Sequence, residues 1–152
     1  MRRRFSFPLV LVLACLLAVP TAARAGDKAL QALADAAARL VEHRGEAAFP
    51  ELRRPGRFFG PGRAVFVFDE QGFELVNPFF PELEGKNLLN HRDPTGKLVL
   101  EEELRLARGK GGFVDSVWER PGGGRPMRTR AFVQGVRHGG RLYVVGAWRE
   151  LE

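Results

Sequence analysis

The last third of the chain is built to turn back on itself. Segments 113–119, 127–137 and 141–148 are strand-length runs rich in Val, with Phe, Tyr and Trp interspersed. Pro121-Gly122-Gly123-Gly124 and His138-Gly139-Gly140 join them. Gly-rich joints of this length favour hairpins, so these three strands should be antiparallel neighbours. Upstream, Ala64-Val65-Phe66-Val67-Phe68 is apolar at every position, as in a strand covered on both faces. Asp69-Glu70-Gln71-Gly72 is turn chemistry, and 73–76 returns as its hairpin partner. Five strands joined mainly by hairpins exclude a parallel sheet.

Two helices interrupt the strands. Leu30, Leu33, Ala34, Ala37, Leu40 and Val41 keep the i, i+3, i+4, i+7 period, with Asp27 placed to cap the start and Gly45 to end it. Segment 46–52 adds a further turn or two before Pro55. Asp93-Pro94 has the signature of a helix start, and a second helix is expected from there to about Arg108. Its buried stripe is Leu100, Leu104 and Ala107, with Glu101 and Arg105 paired on the wet side. Glu101-Glu102-Glu103 reads as a solvated helix face. The order helix, two strands, helix, three strands defines an α+β domain: a long N-terminal helix packed on a five-stranded antiparallel sheet.

The first 25 residues read as a signal peptide. Met1-Arg2-Arg3-Arg4 precedes an apolar run of 15 residues, Pro20 breaks the run, and Ala23-Arg24-Ala25 offers small-x-small cleavage chemistry. The run is shorter than the roughly 20 residues of a spanning helix. Cleavage would leave 26–152 as one domain with no membrane span, periplasmic or secreted. Arg2, Arg3, Arg4 and Arg24 would leave with it, taking the formal charge from +6 to +2. So small a surplus gives no footprint for nucleic acid. Cys15, the one cysteine, lies in this leader, so the remaining domain is held by its core without disulfides.

Catalysis and cofactors find little material. Ser116 is the only serine after the leader and sits in Val-Asp-Ser-Val, not in a nucleophile elbow. His43, His91 and His138 are too scattered to suggest a metal site. No phosphate-binding loop is present. We therefore expect a binding protein with no enzymatic activity, metal or cofactor.

Segment 127–137 is the most informative strand. Thr129, Ala131, Val133 and Gly135 share one face, small enough to let a helix approach. Arg128, Arg130, Phe132 and Gln134 share the other. Two arginines beside an aromatic suit a carboxylate, which guanidinium grips through two hydrogen bonds. The competing reading pairs these arginines with Asp115 or Glu119 on the neighbouring strand. Phe66 or Phe68 could wall such a cavity, Asn77 could add an amide contact, and Tyr143 is the phenol nearby in the sheet. Trp118 and Trp148 read more readily as core than as ligand platform.

Taken in order, several short motifs resemble the single Cache domain of type 2. Ala64-Val-Phe-Val-Phe-Asp-Glu-Gln-Gly72 is similar to that family's "YVFVxDxxG", and Val76-Asn77-Pro78 follows it. Pro81-Glu-Leu-Glu-Gly-Lys-Asn87 is similar to "PxLxGKN", Asp93-Pro-Thr-Gly-Lys97 to "DxxGK" and Gly112-Phe-Val-Asp115 to "GWVD". Trp118-Glu-Arg-Pro121, Arg130-Ala-Phe-Val133 and Val144-Val-Gly-Ala-Trp148 complete the series, so the resemblance spans about 29–148. It implies a PAS-like fold with a ligand pocket on the side of the sheet away from the N-terminal helix. It also implies an extracytoplasmic sensor of small molecules, often short organic acids, working with a membrane histidine kinase or chemoreceptor. The sequence departs from the pattern at three positions. Asn77 replaces a His, Ser116 replaces a Tyr, and Phe132 replaces the Tyr of the "YV" strand.

The expected function is thus a sensory module binding a small organic anion through Arg128, Arg130, Phe132, Phe66, Phe68, Asn77, Trp118 and Tyr143. The alternative is a ligand-free domain of the same fold that docks on a partner or on a second copy as a homodimer.

Overall fold

The computed structural model describes residues 21–151. Of the signal-peptide reading, residues 1–20 lie outside the described residues. Helix α1 runs Thr21–Arg44. Leu30, Ala34, Ala37 and Val41 are buried, as the period predicts. Gly45 ends the helix with φ +55°, a backbone state that L side chains avoid. A 3-10 turn, Gly45–Ala48, and a single α-turn, α2 (Phe49–Leu52), follow.

The sheet has six strands, one more than expected: β1 (Phe59–Gly60), β2 (Arg63–Asp69), β3 (Glu74–Val76), β4 (Gly112–Trp118), β5 (Met127–His138) and β6 (Arg141–Glu150). The addition, β1, is a two-residue edge piece in a Gly/Pro-punctuated stretch, too short to leave a periodic signal. Every pairing is antiparallel, in the order β1-β2-β6-β5-β4, with β3 also paired to β2. The sheet divides two apolar cores. On one face, α1 packs against Val65, Val67, Phe132, Val145 and Ala147. On the other, α3 (Val99–Ala107) packs against Phe66, Phe68, Ala131, Val133 and Trp148. This is the α+β, PAS-like architecture expected.

Two helix boundaries differ from expectation. Asp93 does not cap a helix. Its Oδ1 accepts the Thr95 amide at 2.8 Å, the Thr95 hydroxyl at 2.6 Å and the Lys97 amide at 3.0 Å, closing a turn. Gly96, at φ +87°, holds the chain there, and α3 begins only at Val99. The second difference is at Asp27, which lies inside α1 and bonds to the sheet. Its Oδ1 is 3.3 Å from Arg149 Nη2 and 3.6 Å from Arg130 Nε.

Candidate functional site

Helix α3 carries Val99, Leu100, Glu103, Leu104 and Ala107 on its buried side. It comes close to β5 because Gly135 has no side chain: a methyl there would overlap the Ala107 carbonyl oxygen. The small-residue face of β5 does admit a helix, and that helix is α3. Docking leaves a gap above Ala131, closed at the far end by the chain around β3. Phe66, Glu74, Asn77, Phe80, Leu100 and Glu103 line it together with Ser116, Trp118, Thr129, Ala131 and Trp148. The space is about 30 Å³, room for about two water molecules. A second, open cleft of about 470 Å³ lies outside it. Phe80 and Trp118 line both, so these two rings separate the inner cavity from solvent.

Each part of the wall is fixed by local structure. Phe66 pairs across strands with Gly146, where a Cβ would collide with the ring, so the glycine lets Phe66 lie over β6. Ser116 and Thr129 are cross-strand partners whose hydroxyl oxygens are 2.9 Å apart. Ser116 Oγ also accepts the Trp118 indole N–H at 3.0 Å, which orients that ring. Phe79 packs edge-on against Trp148, with centroids 4.8 Å apart. His91 stacks on the outer face of Trp118 at 5.8 Å. Asn77 ties the loop together: its amide group donates to Glu74 Oε1 at 3.0 Å, while its Oδ1 accepts the Phe80 amide at 3.0 Å. Its own backbone N–H donates to Glu84, which Arg53 clamps through both carboxylate oxygens.

The electrostatics are dominated by two buried acids. Glu74 is 2% and Glu103 4% exposed. Burial is the chief cause raising the Glu103 carboxyl to about 8; nearby Lys97 opposes the shift and Glu102 adds to it. Burial also raises Glu74 well above the ordinary carboxylate range, helped by Glu103 and Glu84 and opposed by the Asn77 bond. Both acids are therefore shifted toward the protonated form, Glu103 holding its proton to about 8. Glu84 and Asp93 shift downward despite partial desolvation, held by Arg53 and Asn77 in one case and by Thr95, Lys97 and Val117 in the other.

The residues expected to form one site divide between the two faces. Phe66, Asn77 and Trp118 line the cavity. Phe68 lies in the same core, stacked on Phe66 at 6.3 Å, and does not border the space. Phe132 and Tyr143 belong to the core beneath α1; Tyr143 packs against Phe49, and its hydroxyl donates to Glu46. By strand alternation Arg128 and Arg130 share that face. Arg128 is exposed. Arg130 lies over the Phe113 ring and reaches both Asp27 and Asp115, so the competing ion-pair reading describes it. The arginine-lined cavity expected from the strand pattern is thus corrected: the polar lining is acid, amide and hydroxyl.

Glu103, expected on a solvated helix face, is buried, and so is Glu74, which no sequence pattern marks. A signal for Glu103 existed, since it stands three residues after Leu100 and four before Ala107, on the helix stripe that is buried.

The profile of the single Cache domain 2 family matches residues 10–147. Among solved structures, a periplasmic sensor domain of a chemotaxis protein is 30% identical. It superposes with a TM-score of 0.74, covering 88% of this chain and 99% of its own. A Cache chemosensory domain described for carboxylic acid recognition is 22% identical, with a TM-score of 0.71 over 86% of this chain and 97% of its own. The sensor histidine kinase MctS of Rhizobium johnstonii is 31% identical over 75 residues, or 49% of this chain. The matched stretch is 16% of that kinase's length. Among the described residues, no helix is long and apolar enough to cross a membrane.

Proposed function

The chain belongs to the single Cache domain 2 family of sensory domains, and from that premise we propose an extracytoplasmic module that takes one small ligand into the inner cavity. Its occupancy is passed to a membrane partner of the histidine-kinase or chemoreceptor class. The cavity carries this reading: residues from five strands, α3 and the β3–α3 connection converge on a space bordered by buried polar groups that a core has no need to collect. Its scale suits a ligand of very few heavy atoms. A short organic acid fits that size and is the ligand class of one structural neighbour. With Glu74 and Glu103 in the lining and no Lys or Arg among the lining residues, such an acid would enter in its protonated form. Ser116 and Thr129 hold each other and Trp118, which suits orientation of a ligand better than nucleophilic attack.

Ala131→Val tests the cavity itself. Ala131 is 3% exposed at the centre of β5, and two added methyl groups occupy the space a ligand needs. Overpacking of this size costs about 1–3 kcal/mol, so the variant should remain folded. A thermal-shift screen of small acids and amines should return a stabilising compound for the wild type and no shift for the variant. A ligand bound at 100 times its Kd adds about 2.7 kcal/mol, a readily measured rise. If no compound stabilises the wild type, or the variant responds equally, the domain is better described as a docking module or homodimer.

Export is proposed on the sequence of residues 1–25. The protein isolated from its native host should begin at Gly26. An intact mass that retains Met1 would mean that the leader is kept.

A further inference from the structure

The polar and aromatic groups of the cavity wall form a pattern of their own. Glu74 and Glu103 both border the space, one from β3 and one from α3. Glu103 is only 4% exposed, and burial and neighbouring charges, with no hydrogen bond, set its carboxyl's shift. Glu74 has one such bond, from Asn77. Four rings, Phe66, Phe80, Trp118 and Trp148, border the same space. The cations nearest these acids are already engaged. Lys97 Nζ is 2.8 Å from Glu102 and donates to the Asp115 carbonyl at 2.7 Å, and Arg53 is bound to Glu84.

A carboxyl bordering a cavity offers its oxygens to a donor placed there, and aromatic faces attract positive charge. We propose that this wall selects a small alkylammonium ion of a few heavy atoms over the undissociated acid that the size of the cavity would also admit. Its N–H groups would lie between Glu74 and Glu103, and its alkyl part against Trp118, Trp148, Phe66 and Phe80. This rests on the reading that the inner cavity is the ligand site.

Occupancy by a cation changes the protonation of the wall. Burial shifts both carboxyls toward the protonated form; Glu103 and Glu84 add to the shift at Glu74, and Glu102 adds to that at Glu103 against Lys97. An ammonium ion stabilises the ionised form, so each binding event releases a proton from one glutamic acid to solvent. Binding then tightens as pH rises, by up to about tenfold per unit well below the Glu103 value of about 8 and less steeply on approaching it. An undissociated acid has the opposite dependence, since the ligand itself must take up a proton.

Calorimetry on the purified full-length chain at pH 6 and pH 8 separates the two. The probes are methylammonium, ethylammonium and ethanolamine on one side, acetate and propionate on the other. At least one amine should bind more tightly at pH 8 and release protons in buffers of different ionisation enthalpy. Glu103→Gln keeps the shape but removes the charge, and should weaken that amine at least tenfold and flatten its pH dependence; Glu74→Gln gives a second reading. If acetate or propionate binds instead, more tightly at pH 6 and with loss in Ala131→Val, the sensory reading stands and the ammonium class is overturned. If an amine binds but neither glutamine variant alters it, the ammonium class is likewise overturned. If no probe binds, the ammonium class falls, and the screen with Ala131→Val then decides the sensory reading separately.

Discussion

Gly135→Ala is expected to destabilise the domain by about 3 kcal/mol, at the upper end of what overpacking usually costs. The added methyl would meet the carbonyl oxygen of Ala107, a backbone group at the end of α3 that cannot rotate away as a side chain could. Either β5 bends or α3 lifts from the sheet. Lifting α3 withdraws Leu100, Glu103 and Leu104 from their core together, so ligand binding should be lost with stability. Chemical denaturation measures the first effect and the thermal-shift assay the second. Gly60→Ala is the control: its nearest neighbour is the flexible end of Arg63, at 3.8 Å, and its expected cost is below about 0.5 kcal/mol. Equal midpoints for Gly135→Ala and the wild type would show that α3 does not depend on this approach.

The second large effect is a fall in stability as pH rises from about 4.5 to about 8. In the unfolded chain Glu103 ionises near 4.5, whereas in the folded domain it holds its proton to about 8. Through that window the native state binds more protons than the unfolded state, so the free energy of unfolding declines as pH rises. The full stabilisation is present below 4.5, and above about 8 the native group ionises as well and the decline from Glu103 ends. Glu74 shifts in the same direction and adds to it. One pKa unit corresponds to about 1.4 kcal/mol, so the total change is on the order of several kcal/mol. Glu84 and Asp93 have the opposite sign. Their lowered values give stability that is present near neutrality and lost on acidification through the folded pKa. Stability is therefore expected to be higher on the acid side of neutrality than at pH 8, and to fall again on strong acidification. Glu103→Gln should be more stable than the wild type at pH 8, with a shallower decline between pH 5 and 8. Urea denaturation across this range measures it, and a wild-type curve that rises toward pH 8 would refute the buried-acid description.

These effects separate what the residue order dictates from what packing selects. The Gly-rich joints at 121–124 and 138–140 impose hairpins wherever the chain goes, because other residues cannot cheaply take those backbone angles. The apolar run 64–68 must be covered on both faces, and the stripe from Leu30 to Val41 must lie on a sheet. Those local demands determined the antiparallel α+β fold, its element order and the Cache resemblance. Gly135 was also legible as a place where a helix could come close.

The site was legible only in part. Alternation along β5 assigns Thr129 and Ala131 to one face and Arg130 and Phe132 to the other, but both faces of this sheet are covered by helices. Which face holds the gap depends on how far α3 reaches over β5, and only the packed structure decides that. The same docking turns one of three adjacent glutamates inward, while Glu101 remains exposed and Glu102 engages Lys97. Arg130 meets Asp27 from a helix more than a hundred positions away in the chain, a pairing that no local pattern encodes. Sequence period specifies which residues travel together; the long-range docking of α1 and α3 specifies what they meet.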